Sequence, residues 1–130
     1  TSSTAGLFGV RCRSPYVTAK WGVIGLIKTL AAELGPFNIR ANAICPGPVD
    51  SEWMERVLEH EALMSATSRD ELYAHYAAGS SMQSFVTAAD VANMAVFLAS
   101  DAARLVSGQA IAVDGNTENP APAVLSNKNR

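Results

Sequence analysis

The chain has 130 residues, 48% of them hydrophobic and only 17% charged, with a formal net charge of −2, which gives it one domain's worth of core and excludes extensive disorder. Its ten Lys and Arg residues are scattered singly, so no basic stripe is available for nucleic acid, and no apolar run approaches the ~18 residues that would span a membrane. Cys12 and Cys45 have neither CxxC spacing nor a His cluster, which argues against a disulfide framework and a metal site and leads to the expectation of a reducing, cytoplasmic setting.

The chain opens Thr1-Ser2-Ser3-Thr4-Ala5-Gly6, without Met, and reads as entered in mid-element, so the length is expected to be that of a fragment. Ser14-Pro15 at one end and Gly35-Pro36 at the other bracket a predicted helix over 15–34, with Ser14 as N-cap. Val23, Ile27, Leu30 and Leu34 form an apolar stripe on it, whereas Thr18, Gly22, Gly25, Thr29 and Ala32 form a face of small residues. Two glycines inside a helix cost roughly 1 kcal/mol each against Ala. Close approach of a second helix, or of the helix's own sheet, would offset that cost.

Asn38 to Cys45 reads as a strand closed by Pro46-Gly47-Pro48. Residues 50–84 are too apolar for a linker and have the spacing of one or two short amphipathic helices, a length of connection that is usually a lid or binding segment. Thr87-Ala-Ala-Asp90 looks like a capping box, and Val91, Met94, Phe97 and Leu98 continue as a helix to about Ser100. Ser107-Gly108 is a turn, Gln109 to Val113 a short strand, and Asp114-Gly115 its stop; residues 117–130 have no period and are expected to form a flexible tail. The order is strand end, helix, strand, lid, helix, strand, an α/β pattern for a parallel sheet.

Tyr16 and Lys20 stand four residues apart on one helix face. A phenol with an ordinary pKa near 10 needs help to exchange protons near neutrality, and an ammonium group within ~4–6 Å favours phenolate. By itself the pair is also compatible with an ordinary packed Tyr beside a Lys. Ser3, thirteen residues before Tyr16, changes that weighting, as do Ile39-Arg40-Ala41-Asn42, Cys45-Pro46-Gly47, and Ser107-Gly108-Gln109 through Val113-Asp114-Gly115. Together these ordered motifs over residues 1–116 resemble the short-chain dehydrogenase/reductase family.

The resemblance implies the C-terminal part of a Rossmann-like, doubly wound parallel sheet in three α/β/α layers. It also implies an NAD(P)-dependent oxidoreductase interconverting a secondary alcohol and a carbonyl. Tyr16 would be the general acid/base, Lys20 would hold the nicotinamide ribose and assist Tyr16, and Ser3 would orient the substrate oxygen, with Ser2 as a rival for that role. Tyr16, Lys20, Pro46, Gly47, Val49 and Ser51 would bind the cofactor. Trp53, Met54, Tyr73, His75 and Tyr76 are candidate walls for a small alcohol or carbonyl substrate.

The glutamates Glu52, Glu55, Glu59 and Glu61 read as a solvated face, and His60 and His75 as surface residues. No glycine-rich pyrophosphate turn follows a strand in this sequence, nor is there the residue that would choose NAD or NADP. The N-terminal half of the same domain is therefore an expected partner, the chain alone is expected to be inactive, and the 15–34 helix is expected to make a homodimer or homotetramer. An extended-branch epimerase or dehydratase, and a non-catalytic half-domain serving as an association surface, are the alternatives.

Overall fold

The computed structural model describes residues 1–117. Its centre is β1 (Ala43–Pro46), four consecutive buried residues, paired in parallel with β2 (Ala110–Val113) so that Ala43 faces Ala110 and Pro46 faces Val113. A continuous apolar run is what a strand covered on both faces requires. Successive side chains point to opposite faces: Ala43 and Cys45 pack with Ile24, while Ile44 packs with Leu98 and Ala103. Those two clusters belong to helices on opposite sides, α1 (Ser14–Leu34) and α4 (Ala88–Ala99), and the result is an α/β/α sandwich.

Both strands are shorter than the sequence suggests. Asn38 is left-handed (φ 59°) and ends the turn after α1, and the next residues bond mainly through side chains, with one backbone bond from the Gly108 amide to the Ala41 carbonyl at 2.7 Å. Arg40 donates to the Leu98 carbonyl at 2.6 Å, and Asn42 donates to the Val106 carbonyl at 2.8 Å and accepts from the Gln109 amide. With Gln109 engaged by Asn42 and Gly108 at φ 70°, β2 begins only at Ala110. The third expected strand, at the start of the chain, is represented by one ladder-like bond, Ser2 N–H to the Ile44 carbonyl at 2.8 Å.

Helix α1 starts one residue earlier than its punctuation implies. Arg13, not Ser14, occupies the cap position and makes no capping bond, because a guanidinium only donates and cannot accept from the helix amides; it donates to Glu61 instead, across 48 residues of sequence. Its one buried residue is Ile24, with Val23, Ile27, Leu30 and Leu34 half-buried around it. The small-residue face lies in the open: a Cβ built on Gly22 or Gly25 would meet nothing within 4 Å. The helix's own sheet is therefore not what offsets those glycines. Gly6 shows the opposite situation, since a Cβ there would sit 2.5 Å from Ser2 Oγ and 2.9 Å from the Lys20 carbonyl, so the 3-10 turn Thr4–Gly6 packs tightly on α1.

Helix α4 starts as expected. The Thr87 hydroxyl accepts from the Asp90 amide at 3.2 Å while the Asp90 carboxylate accepts from the Thr87 amide at 2.8 Å. Val91, Met94 and Leu98 face Ile44, whereas Phe97 is exposed.

The long connection holds two helices, α2 (Glu52–Ser65) and α3 (Arg69–Ala77), capped by Ser51 and by a Ser68/Glu71 box. They share a separate core of Met54, Leu58 and Leu72, flanked by Tyr73 stacked on Phe85 at 4.1 Å. The segment is fastened to the sandwich through its C-terminal part, by the Val49–Val86 bridge, which also draws its two ends together, and by the Ser80–Thr117 bridge. Of the tail expected at 117–130, all but Thr117 lies outside the described residues. Among the described residues no helix is long and apolar enough to cross a membrane, and Cys12 and Cys45 are both free.

Candidate active site

A cavity of about 390 Å³ opens beyond the carboxyl ends of β1 and β2, the position at which open α/β sheets bind ligands. Ser3, Tyr16, Pro46, Gly47, Val49, Ser51, Trp53, Met54 and Tyr76 all line it. Lys20 does not. Its Nζ lies 5.5 Å from the centroid of the Tyr16 ring and donates to the Thr1 carbonyl at 3.4 Å, so it stands behind Tyr16 and not in the wall.

The adjacent serines divide their work. Ser2 is buried, and its hydroxyl donates to the Lys20 carbonyl at 2.8 Å, a tie that fixes the opening segment to α1. Ser3 accepts from the Ala5 amide at 3.2 Å and records no donation among the described residues, so its hydroxyl proton is free to point at a bound group. Behind them lies Cys45, whose thiol burial pushes up, opposed by hydrogen bonds from the Ser3 backbone and the Ser2 side chain. Tyr16 is 43% exposed and lines the cavity.

The turn after β1 is held from both sides. Gly47 passes so close to Asp114 that a Cβ would sit 2.9 Å from Asp114 Cβ, which leaves glycine as the residue that fits. The Asp50 amide donates to the Val86 carbonyl and the Val86 amide to the Pro48 carbonyl, both at 2.8 Å. In a parallel bridge of this kind the intervening residue turns its own N–H and C=O the other way. The amide of Val49 is thus left unspent on the cavity side, while its carbonyl accepts from Ser51 Oγ at 3.2 Å.

The lid contributes Trp53, Met54, Val57 and Tyr76 to the wall. Two aromatic expectations fail: Tyr73 is committed to Phe85 inside the lid, and His75 is exposed on α3, away from the cavity. Tyr76 lends its ring but not its hydroxyl, which donates to both carboxylate oxygens of Glu61 at 3.0 Å. Burial, and then the charge of Glu61, push the Tyr76 phenol up to about 12. Glu61 also accepts from Arg13 at 2.7 Å, so it is a junction between the lid and the start of α1 and not part of a solvated face. Arg11, Arg13, Val10 and Thr117 line the cavity without having been singled out in the sequence. Only the position of Arg11 and Arg13 just before Tyr16 hinted at their place.

Residues 1–116 match the family model described as Enoyl-(Acyl carrier protein) reductase. The chain belongs to the short-chain dehydrogenase/reductase family. It is 38% identical over 114 residues to the 3-oxoacyl-(acyl-carrier-protein) reductase of Thermotoga maritima, covering 88% of this chain and 42% of that one. An actinorhodin polyketide ketoreductase solved with NADPH superposes with a TM-score of 0.82 at 34% identity, over 88% of this chain and 44% of that one. A 4-hydroxyisoleucine dehydrogenase solved with NADH gives 0.67 at 28% identity, over 88% and 43%. The chain thus spans less than half the length of these relatives of the dehydrogenase/reductase family, and it carries part of a Rossmann-like sheet. The residues present suit the carboxamide end of a nicotinamide: the unspent Val49 amide and the Ser51 hydroxyl stand on one side of the cavity, with Ser3 and Tyr16 also on its wall.

Proposed function

We propose that this chain carries the acid–base residues of an NAD(P)-dependent oxidoreductase that interconverts a secondary alcohol and a carbonyl compound. One observation carries the reading: Ser3 and Tyr16 open on a single cavity beside the β1 turn, with the Lys20 ammonium 5.5 Å from the Tyr16 ring. When bound, the nicotinamide supplies the hydride in reduction and accepts it in oxidation. The chain's own residues then handle the proton and the geometry.

The Tyr16 hydroxyl gives its proton to the carbonyl oxygen as that oxygen becomes an alcohol, and takes it back in the reverse direction. The Lys20 ammonium favours the negative charge that develops on the Tyr16 oxygen as the proton leaves. The Ser3 hydroxyl donates to the same substrate oxygen and fixes its direction. Lys20 also holds the nicotinamide ribose, while Pro46, Gly47, Val49 and Ser51 receive the carboxamide. Trp53, Met54 and Tyr76 wall the substrate. A reducing, cytoplasmic setting is part of the reading, supported by two cysteines that are both free thiols.

In the intact enzyme, Tyr16→Phe is expected to lower kcat by about 100-fold or more while cofactor affinity, read by fluorescence titration, stays near wild type. Near-normal turnover would overturn the acid–base role. The 130-residue chain assayed by itself is expected to be inactive, because no glycine-rich pyrophosphate turn is among its residues. Cofactor reduction by the isolated chain would refute that.

The exposed small-residue face of α1 further supports a homodimer or homotetramer, since Gly22 and Gly25 let a second helix approach closely. Gly25→Leu is expected to shift the intact enzyme toward monomer in sedimentation velocity. Assembly identical to wild type would exclude this face as the interface.

A further inference from the structure

The cavity has an asymmetry of charge that the proposed acid–base chemistry does not use. Among the described residues its ionisable side chains besides the tyrosines are Arg11 and Arg13, with no Asp, Glu, Lys or His in the wall. Cys12 between them is left-handed (φ 59°), and this sharp reversal brings side chains two residues apart to the same cavity.

The two arginines differ in a useful way. Arg13 donates one Nη2–H to Glu61 at 2.7 Å, and Glu61 is itself held by the Tyr76 hydroxyl. Glu61 stands outside the cavity, on the lid side of the guanidinium, so it anchors the Arg13 head without occupying the cavity. A guanidinium carries five N–H donors in a fixed fork; Arg13 gives one to Glu61 and also bears on the Tyr76 hydroxyl, which leaves the rest of the fork for a bound group. Arg11 has no ion-pair partner among the described residues. The first turn of α1 adds the partial positive charge of its unbonded amides, with no acidic residue there to offset it.

We infer that Arg11 and Arg13 form an anion subsite, and that the substrate is a ketone or secondary alcohol bearing a carboxylate or phosphate group. This rests on the reading of Tyr16 as the group that meets the substrate oxygen. Arg13 lies three residues before Tyr16 on the same approach to α1, so an anionic group a few bonds from the carbonyl reaches the arginines while its carbonyl oxygen lies at Tyr16 and Ser3. The apolar stretch between them faces Val57, Trp53 and Met54. Arg suits this task better than Lys because its fork matches carboxylate and phosphate oxygens two at a time.

The test uses matched probes on the intact enzyme: acetoacetate against acetoacetamide, and dihydroxyacetone phosphate against dihydroxyacetone. Binding is followed by the part of the intrinsic fluorescence change that Trp53→Phe abolishes, since Trp53 lines the cavity; turnover is measured in parallel. At least one anionic probe is expected to bind about tenfold tighter or more than its neutral partner, the scale of a charge-assisted hydrogen bond, and the pair that responds tells carboxylate from phosphate. Arg11→Gln and Arg13→Gln are each expected to shrink that ratio severalfold.

Glu61→Gln separates a recognition role from a structural one. It loosens the lid as Arg13→Gln does but keeps the Arg13 charge, so the ratio is expected to persist. Equal binding of charged and neutral probes in the wild type would overturn the subsite, as would ratios unmoved by both arginine variants. A ratio that collapses as fully in Glu61→Gln as in Arg13→Gln would reduce Arg13 to a lid fastening and overturn its part. Tight, arginine-dependent anion binding without any turnover would support the subsite and count against the oxidoreductase reading.

Discussion

The sandwich and the segment 50–86 solve the same problem by different means. The sandwich buries β1 between two helices that are distant in sequence, with Ile24 and Cys45 on one face and Ile44, Leu98 and Ala103 on the other. The segment 50–86 buries Met54, Leu58 and Leu72 against one another, using helices joined by a three-residue turn with Ala66 left-handed. Its hydrogen-bonded ties to the sandwich include the bridges of Val86 to Val49 and of Ser80 to Thr117, the bonds of the Ser81 and Met82 amides to the Asn116 and Gly115 carbonyls, and the Arg13–Glu61 pair at the middle. A substrate-binding wall built on its own small core can move without exposing the sheet, and one built on the sheet's core cannot.

The strongest way to break this comparison is to hollow out one core and watch the other. Leu72 is fully buried, so Leu72→Ala is expected to cost about 2–5 kcal/mol. Because that core is local, amide exchange is expected to accelerate in α2 and α3 while α1 and β1 stay protected. Ile44→Ala, a deletion of similar size between β1 and α4, is expected to weaken protection across the whole chain. If Leu72→Ala released α1 and β1 as readily as α2 and α3, the two regions would be one cooperative unit and the contrast would be lost.

The same contrast explains what was legible in the sequence. The ends of α1 and α4 follow from local chemistry, Pro15 near one start and a Thr87/Asp90 box at the other, and such signals act within a few residues. Where the chain's partners are far away, local reading loses its grip. Residues 38–42 read as the start of a strand of mixed polarity, yet Arg40 and Asn42 spend their side chains on the carbonyls of Leu98 and Val106.

Within the candidate site, Ser3 and Tyr16 are singled out by the family resemblance, and both line the cavity. Tyr73 and Tyr76 are the same residue type three positions apart, and Phe85 decides which one turns inward. Glu61 was indistinguishable from its neighbours on α2 until α3 and the start of α1 closed around it. Arg11 and Arg13 carry no motif, and only their position just before Tyr16 points to the wall.

The smallest expected effects lie at two matched caps, one in each region, and they sharpen the comparison without breaking either core. Thr87→Ala at α4 and Ser68→Ala at α3 remove the same kind of bond and are each expected to cost about 1 kcal/mol, the first in global stability and the second only in the local opening of α3. Acid titration gives a second measure of the same two sites. The Thr87 hydroxyl, and then its amide, hold the Asp90 carboxyl below the ordinary value of 3.8; the Ser68 amide, and then its hydroxyl, hold Glu71 below 4.5. A carboxyl whose folded pKa is depressed stabilises the fold above its unfolded pKa, and that contribution is lost as pH falls through the folded value. Lowering pH below about 4 is therefore expected to reduce global stability through Asp90, and Asp90→Asn is expected to flatten that part of the profile. Glu71→Gln is expected to leave the global profile nearly unchanged and to flatten only the pH dependence of α3 exchange. A global acid profile moved as much by Glu71→Gln as by Asp90→Asn would mean that α3 unfolds with the sandwich and that its separate core confers no independence.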